Sequence, residues 1–300
     1  MTNPCNISEN KDTVTLSKDI ARGLRIEIIK MIYRAGSGHP GGSLSCADII
    51  AVLYFHEMRI DPKEPGWQDR DRFILSKGHA CPAWYSALAL RGYFPIEALS
   101  KLRKLNSPLQ GHPDMRKLPG LDMTTGSLGN GLSIGIGMAI CGKVDEKDYR
   151  VYVILGCGEL DEGMIWEAAM CAHKYKLDNL TAIVDYNGLQ LDGKTEDIMP
   201  LEPLGDKWKA FGWNTIEIDG HNIKDILTAI DKAKSARGCP TVIIAHTVKG
   251  KGVSFMENNP DWHGKPLTKA EYEQAMKELT LGDCPCLKGY NEYPDTKIIR

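Results

Sequence analysis

The sequence has 300 residues, and its 37 basic and 39 acidic side chains give a net charge of −2. This near balance offers no electrostatic basis for binding nucleic acid or an anionic membrane surface. The polar N-terminus and the lack of an apolar run of about 18 residues predict neither a signal peptide nor a membrane span. We therefore expect a cytoplasmic protein.

The chain carries nine cysteines, an odd number, without a secretion signal. We expect most of them to be small buried hydrophobic side chains rather than disulfide partners. Cys284 and Cys286 are the one close pair, and neither a second pair nor a histidine lies nearby in the sequence. The pair is therefore not expected to bind a metal ion.

The predicted elements alternate between helices and strands. Apolar residues four apart, from Ile20 to Ile32, predict an amphipathic helix over residues 16–33 that stops at Gly36. Further helices are predicted at 43–55, 80–92, 162–174, 222–236 and 268–279. Strands are predicted at 72–76, 150–155, 180–185, 213–219 and 240–245. The pattern indicates one α/β domain over residues 1–300, with a parallel sheet and helices on both faces. A polar arm (about 1–14) and a tail (about 281–300) flank it.

Parallel sheets of this kind bind ligands beyond the carboxyl ends of their strands. The segments that we expect there are unusual in length or chemistry: 76–79, 106–131, 156–163, 186–204 and 246–266. Loops longer than about 12 residues are uncommon unless they are functional. The sequence has no Walker lysine motif, and GNGLSIGIG at 129–137 does not follow a strand as a dinucleotide fingerprint should.

Four of the eight histidines lie beside glycine in predicted loops: His39, His79, His112 and His263. One such histidine predicts little, because a turn histidine often only bonds a backbone carbonyl. Four of them near one edge of a sheet favour a functional site. Imidazoles there could bind sugar hydroxyls, phosphates or a developing oxyanion.

The turn Gly156-Cys157-Gly158 follows one predicted strand, and Asn187 follows the next. Adjacent parallel strands would place these turns side by side. A small cation that prefers oxygen could take the Asn187 amide oxygen, a nearby carbonyl and diphosphate oxygens. A helix N-terminus after Gly158 would face the anion. Such a site needs a hard ligand at position 157.

Several motifs together, in this order, resemble transketolase: SGHPGGSL, FILSKGHA, LQGHPD, TTGSLGNGLS, GCGELDEG with DYNGLQLDG, and TVKGKGVSFMENNPDWHG. The resemblance covers about residues 17–280 and is to the amino-terminal half, which has the thiamine diphosphate-binding fold. It implies the N-terminal subunit of a split transketolase. A C-terminal partner would supply the aminopyrimidine-binding half, and two copies of each chain would form an α2β2 heterotetramer.

The resemblance also implies residue roles. The four histidines would contact the donor ketose and the cofactor, and they would stabilise alkoxides and move protons during ketol transfer. The further cofactor contacts would be Gly126, Leu128, Gly129, Gly156, Gly158, Glu159 and Asn187. Mg²⁺ would bind Asn187 and the Leu189 carbonyl. Glu162 would lie at a subunit interface, or it would only favour the helix dipole. The implied substrates are sugar phosphates of the pentose phosphate pathway.

Two positions depart from the family pattern. Asn130 stands where glutamine is usual, a conservative change. Cys157 stands where the family has a metal-binding aspartate, and a thiol is a soft ligand that is mostly neutral at pH 7. Glu159 or Asp161 could replace the missing carboxylate only if its side chain extended back along the chain to the metal position beside Cys157. Three hypotheses follow: a working subunit with altered metal use, a paralogue with poor cofactor binding that acts on unusual sugars or has no catalytic role, or a related enzyme such as deoxyxylulose phosphate synthase or a 2-oxo-acid dehydrogenase component.

Overall fold

The computed structural model describes residues 13–191 and 193–281. Its described part contains one sheet of five parallel strands in the order β1-β2-β3-β5-β4. The strands are β1 (Arg72–Leu75), β2 (Val151–Gly156), β3 (Leu180–Tyr186), β4 (Asn214–Asp219) and β5 (Thr241–His246). The chain therefore adds β4 at the edge before it returns to place β5 beside β3.

Helices cover both faces of this sheet. They are α1 (Thr13–Ala35), α2 (Pro40–Ser45), α3 (Ala47–Val52), α4 (Cys81–Leu90), α5 (Asn130–Val144), α6 (Gly163–Lys174), α7 (Thr195–Ile198), α8 (Leu204–Ala210), α9 (Ile223–Ser235) and α10 (Lys269–Thr280). Strand residues alternate between the faces, as the period of two requires. In β2, Tyr152 and Ile154 pack with α1, α3, α4 and α9, whereas Val151, Val153 and Leu155 pack with α5, α6 and α8.

The predicted α/β class, the parallel sheet and the two helical layers are confirmed. Each predicted strand is present within one or two residues of its expected bounds. The helix expected at 43–55 is divided into α2, α3 and a π-helical turn, Leu53–Glu57. The helix after β2 begins at Gly163 and not beside Gly158, because a 3₁₀ turn, Gly158–Asp161, comes first. Glu159 therefore lies in that turn.

Other sequence-based expectations have mixed outcomes. Helix α1 begins at Thr13, three residues before the expected start at residue 16. Of the described cysteines, Cys46, Cys81 and Cys157 are buried, which is half of them rather than most. Cys284, Cys286 and the tail after residue 281 lie outside the described residues. Within residues 13–191 and 193–281, no helix is long and apolar enough to cross a membrane.

The register of the central strands brings their carboxyl ends together. Gly156 of β2 lies opposite Asp185 of β3, and Tyr186 of β3 lies opposite His246 of β5. The loops that leave β1, β2, β3 and β5 therefore meet at one edge of the sheet. This edge is where an open parallel sheet is expected to bind its ligand.

Candidate active site

A cavity of about 370 Å³ lies at this edge of the sheet. Every residue that the sequence predicted for the site lines it except Gly129. Its walls are formed by His39, Gly42, Lys77, His79, His112, Gly126, Leu128, Gly156, Cys157, Gly158, Glu159, Asn187, Leu189, Gln190, Leu191, Lys249 and His263. Residues from eight separate stretches of the chain thus converge in one place.

Three of the histidines form a compact cluster. The ring centroids of His39 and His79 are 5.1 Å apart, those of His39 and His263 5.3 Å, and those of His79 and His263 5.2 Å. His112 lies beside Gly126, whose φ of +145° few side chains tolerate. A Cβ atom at Gly126 would approach the His112 ring to 3.0 Å. A glycine at 126 therefore lets His112 come close to the backbone.

The clustered histidines are neutral at physiological pH. Burial and then the neighbouring His263 and Arg103 lower the pKa of His39 to about 4. Burial and Lys249 lower the pKa of His263 to about 4, and burial holds the pKa of His79 well below its usual range. Lys249 Nζ lies 3.2 Å from His263 Nδ1, so Nδ1 accepts and Nε2 carries the proton. Neutral imidazoles of this kind can donate hydrogen bonds to ligand oxygens.

These pKa values predict how stability depends on pH. In the unfolded chain each histidine takes up a proton near pH 6.5, whereas His39 and His263 in the fold resist protonation until about pH 4. Between these values the unfolded state binds more protons, so stability falls as the pH falls. We expect urea unfolding to show this loss from pH 6.5 to 4. Replacing both residues by glutamine should reduce the slope, and an unchanged slope would contradict the assignment.

Cys157 faces the two oxygens expected to bind a metal ion. Its Sγ atom lies 3.6 Å from Asn187 Oδ1 and 3.6 Å from the Leu189 carbonyl oxygen. The side chain is 2 % exposed, and burial raises the pKa of its thiol, which keeps the proton at neutral pH. The corner formed by Cys157, Asn187 and Leu189 thus holds two oxygen ligands and one neutral sulfur.

Neither nearby carboxylate compensates for the missing aspartate. Glu159 is buried and accepts hydrogen bonds from Ser76 Oγ and from the N–H groups of Gly129 and Gly156. Asp161 accepts a hydrogen bond of 2.9 Å from Gln190 Nε2. Among the residues that the structure describes, no group of three His, Cys, Asp or Glu side chains could hold a metal ion. The corner therefore does not fit Mg²⁺, which prefers carboxylate and other hard oxygen ligands.

A buried ion pair lies beneath the cavity. Lys77 Nζ donates to Asp185 Oδ2 at 2.5 Å and to the Gly42 carbonyl at 2.7 Å. Asp185, which is fully buried, also accepts hydrogen bonds from the side chains of Ser45, Thr247 and Asn187. Although burial alone raises it, these partners, Lys77 above all, lower the pKa of Asp185. The bond to Asn187 Nδ2 turns the amide so that Oδ1 faces Cys157.

Lys249 supplies a buried cation to the cavity wall. It is 2 % exposed and donates to the Gln190 carbonyl at 3.1 Å. Within the described ranges, no carboxylate lies at ion-pair distance from it. Burial lowers the pKa of Lys249 to about 8, so it stays largely protonated at pH 7. Because Gly42, Gly156 and Gly158 leave the adjacent wall free of side chains, the cavity fits an anion such as a diphosphate.

Sequence reasoning missed three charged residues of this site: Lys77, Asp185 and Lys249. Each could have been found from its setting. Asp185 is the single acid in the apolar strand LTAIVD, and both lysines stand beside glycine in loops that already attracted attention. Gly129 lies outside the cavity wall, and its N–H group is bound by Glu159.

Comparisons with known proteins agree with the resemblance seen in the sequence motifs. The family model described as transketolase, thiamine diphosphate binding domain, matches residues 16–286. The 6-deoxy-6-sulfo-D-fructose transketolase subunit of Clostridium sp. MSTE9 is 49% identical over 91% of this chain and 98% of its own. An apulose-4-phosphate transketolase subunit of Phocaeicola vulgatus is 44% identical over 85% of this chain and 91% of its own.

Longer transketolases match over part of their length. Human transketolase is 46% identical over 87% of this chain but only 42% of its own. The crystal structure of Campylobacter jejuni transketolase superposes with a TM-score of 0.84 at 33% identity, over 89% of this chain and 43% of that one. These matches favour transketolase over the third hypothesis, a related enzyme such as deoxyxylulose phosphate synthase or a 2-oxo-acid dehydrogenase component. The chain belongs to the transketolase family, a family of transferases, and corresponds to its thiamine diphosphate binding domain.

Proposed function

We propose that the protein is one subunit of a two-subunit transketolase, which moves a two-carbon ketol unit from a ketose phosphate to an aldose phosphate. The observation that carries the proposal is the cavity itself. It places three neutral imidazoles beside the buried ammonium group of Lys249 and a wall of glycines, so that hydroxyl and diphosphate groups could bind together. The bound cofactor would supply an electron sink for carbon–carbon bond cleavage.

The chain's own residues would bind and orient the reactants. Lys249 would neutralise part of the diphosphate charge, while Gly126, Leu128, Gly156 and Gly158 would lie along the cofactor. Glu159, held by three hydrogen bonds, would fix the turn after β2 against the loop before α5. It would therefore act on the cofactor by shaping its site.

The histidines would act mainly as hydrogen-bond donors. His39, His79 and His263 are neutral at pH 7, and His263 carries its proton on Nε2. An N–H group aimed at a carbonyl oxygen stabilises the negative charge that this oxygen gains when a nucleophile adds to its carbon. We assign His112 to the same surface, where it would contact substrate hydroxyls.

Metal use would differ from the magnesium site that the family resemblance implies. Asn187 Oδ1 and the Leu189 carbonyl remain available to a divalent ion, but the third ligand would be sulfur. A corner of this kind would bind Mg²⁺ weakly and would favour a softer ion such as Zn²⁺. Lys249 would supply part of the positive charge that the diphosphate needs.

A partner chain would complete the active site. The two relatives that the chain covers almost fully are themselves named as transketolase subunits, one for a sulfo sugar and one for a sugar phosphate. By analogy, we propose that the protein pairs with a C-terminal transketolase subunit. The complex would contain two copies of each chain and would act on an anionic sugar. It is expected in the cytoplasm.

The partner proposal predicts a result for each chain alone. The purified chain should show no ketol transfer from xylulose 5-phosphate or a sulfo sugar, since half of each active site would be absent. Mixing with the C-terminal subunit should restore the activity, measured by release of the aldose. The control is the same mixture without thiamine diphosphate. Full activity of the single chain would contradict the proposal.

A further inference from the structure

A chain of buried and partly buried hydrogen bonds ends at the loop that carries Lys249. Arg25 of α1 binds Asp48 of α3 through both of its terminal nitrogens, at 3.2 and 2.5 Å. Asp48 Oδ2 lies 2.7 Å from Nδ1 of His221, which lies between β4 and α9. His221 Nε2 in turn accepts the backbone N–H of Val248 at 2.8 Å. Val248 directly precedes Lys249.

The geometry fixes the protonation state of His221. A backbone N–H group can only donate, so His221 Nε2 must offer its lone pair to Val248. The proton of the neutral ring then lies on Nδ1, where it is donated to Asp48. A charged imidazole would carry hydrogens on both nitrogens. Its Nε2–H group would then face the N–H group of Val248, and two donors cannot form a hydrogen bond. Protonation of His221 therefore breaks the bond to the loop.

We propose that His221 is a positioning residue that holds the Lys249 loop in its binding position only while its ring is neutral. The inference rests on the proposed binding of a diphosphate at Lys249. Lys249 directly follows Val248, the residue that His221 holds. Its side chain donates to the Gln190 carbonyl and lies beside His263. Loss of the bond at Val248 would loosen the position of this cation and the orientation of His263.

The charges around His221 come from several elements. Arg25 from α1 and Asp48 from α3 face the ring, and Asp219 of β4 accepts the backbone N–H of His221 at 2.8 Å. Lys249 lies one residue beyond the bonded amide. Asp48 stays ionised at all relevant pH values, since the Arg25 charge and the His221 bond outweigh burial and lower its pKa to about 2. Asp48 and Arg25 therefore keep their charges, and only a proton added to the His221 ring would change the hydrogen bonds of this chain.

The test compares His221→Gln with His221→Leu in the full chain. Glutamine can donate to Asp48 and accept from Val248 but cannot gain a proton, whereas leucine can do neither. Inorganic pyrophosphate is the calorimetric probe, and hydrogen exchange of the Val248 amide reports on the loop without any ligand. Because pyrophosphate itself titrates, the quantity compared at pH 7.5 and 5.5 is the ratio of wild-type to variant affinity.

We expect His221→Leu to weaken pyrophosphate binding about three- to tenfold at pH 7.5 and to speed exchange at Val248. His221→Gln should keep most of the affinity at pH 7.5 and bind more tightly than the wild type at pH 5.5. Equal affinities and equal Val248 exchange in all three proteins would overturn the inference. Absence of pyrophosphate binding in the wild type would instead count against the proposed function, and the exchange data would still test the loop.

Discussion

Replacement of Cys157 by aspartate is expected to lower the Mg²⁺ concentration needed for half-maximal thiamine diphosphate binding by about 10- to 100-fold. The buried thiol is neutral and soft, whereas aspartate would add a hard, charged oxygen beside Asn187 Oδ1 and the Leu189 carbonyl. Even groups that only orient a metal ligand change metal affinity by about 10- to 100-fold. Isothermal titration at several Mg²⁺ concentrations measures the effect.

Cys157→Ser is the matched control, because it keeps the size of the side chain and adds no charge. It should bind Mg²⁺ much less tightly than the aspartate variant. Zn²⁺ should support binding to the wild type better than Mg²⁺ does, and this preference should weaken in Cys157→Asp. An identical Mg²⁺ requirement in the wild type and in Cys157→Asp would show that position 157 does not control the metal site.

The second large effect is expected at the buried ion pair. Asp185→Asn leaves the ammonium group of Lys77, which is 2 % exposed, without its counter-charge. Removing one partner of a buried pair costs about 3–5 kcal/mol. We expect the free energy of unfolding in urea to fall by about this amount. Thiamine diphosphate binding should also weaken, because one of the two oxygens that hold Lys77, Asn187 and Thr247 becomes an NH2 donor.

Two further variants make this result specific. In Lys77→Met/Asp185→Asn neither charge remains, so much of the lost stability should return. Lys194 and Glu196 form an exposed ion pair, with side chains that are 65% and 72% exposed. Glu196→Gln removes one partner of this pair and should change the free energy of unfolding by less than about 1 kcal/mol. If Asp185→Asn were as mild as Glu196→Gln, the Lys77–Asp185 pair would not have the role assigned to it.

Most of the fold could be predicted from the sequence because the strands are short β-branched runs between glycine turns. Helix α5 was missed, since the glycines at 131, 135 and 137 lower helix propensity and blur the periodicity of the segment. The division of the helix at 43–55 into shorter pieces also left no clear trace in the sequence. The position of β4 at the sheet edge depends on packing between distant elements, which one sequence does not reveal.

The candidate site was only partly predictable for a related reason. Glycine-flanked histidines stand out as motifs, and the cavity brings His39, His79 and His263 together as expected. Asp185 and Lys77 are 108 residues apart, and their pairing follows only from the registers of β1 with β2 and of β2 with β3. Within the described residues, Lys249 has no carboxylate at ion-pair distance, and this separation likewise depends on the surrounding fold. Local patterns indicated which loops matter, and the tertiary contacts decided which charges pair.

The most direct test titrates thiamine diphosphate into the complex of this chain with its C-terminal partner, with Mg²⁺, Mn²⁺, Zn²⁺ or EDTA. Calorimetry should show that the diphosphate form binds and that thiamine itself does not, because Lys249 and the glycine wall recognise the anion. Lys249→Met should weaken binding under every condition. Failure of thiamine diphosphate to bind with any of these ions would contradict the account and would favour a subunit without a catalytic role.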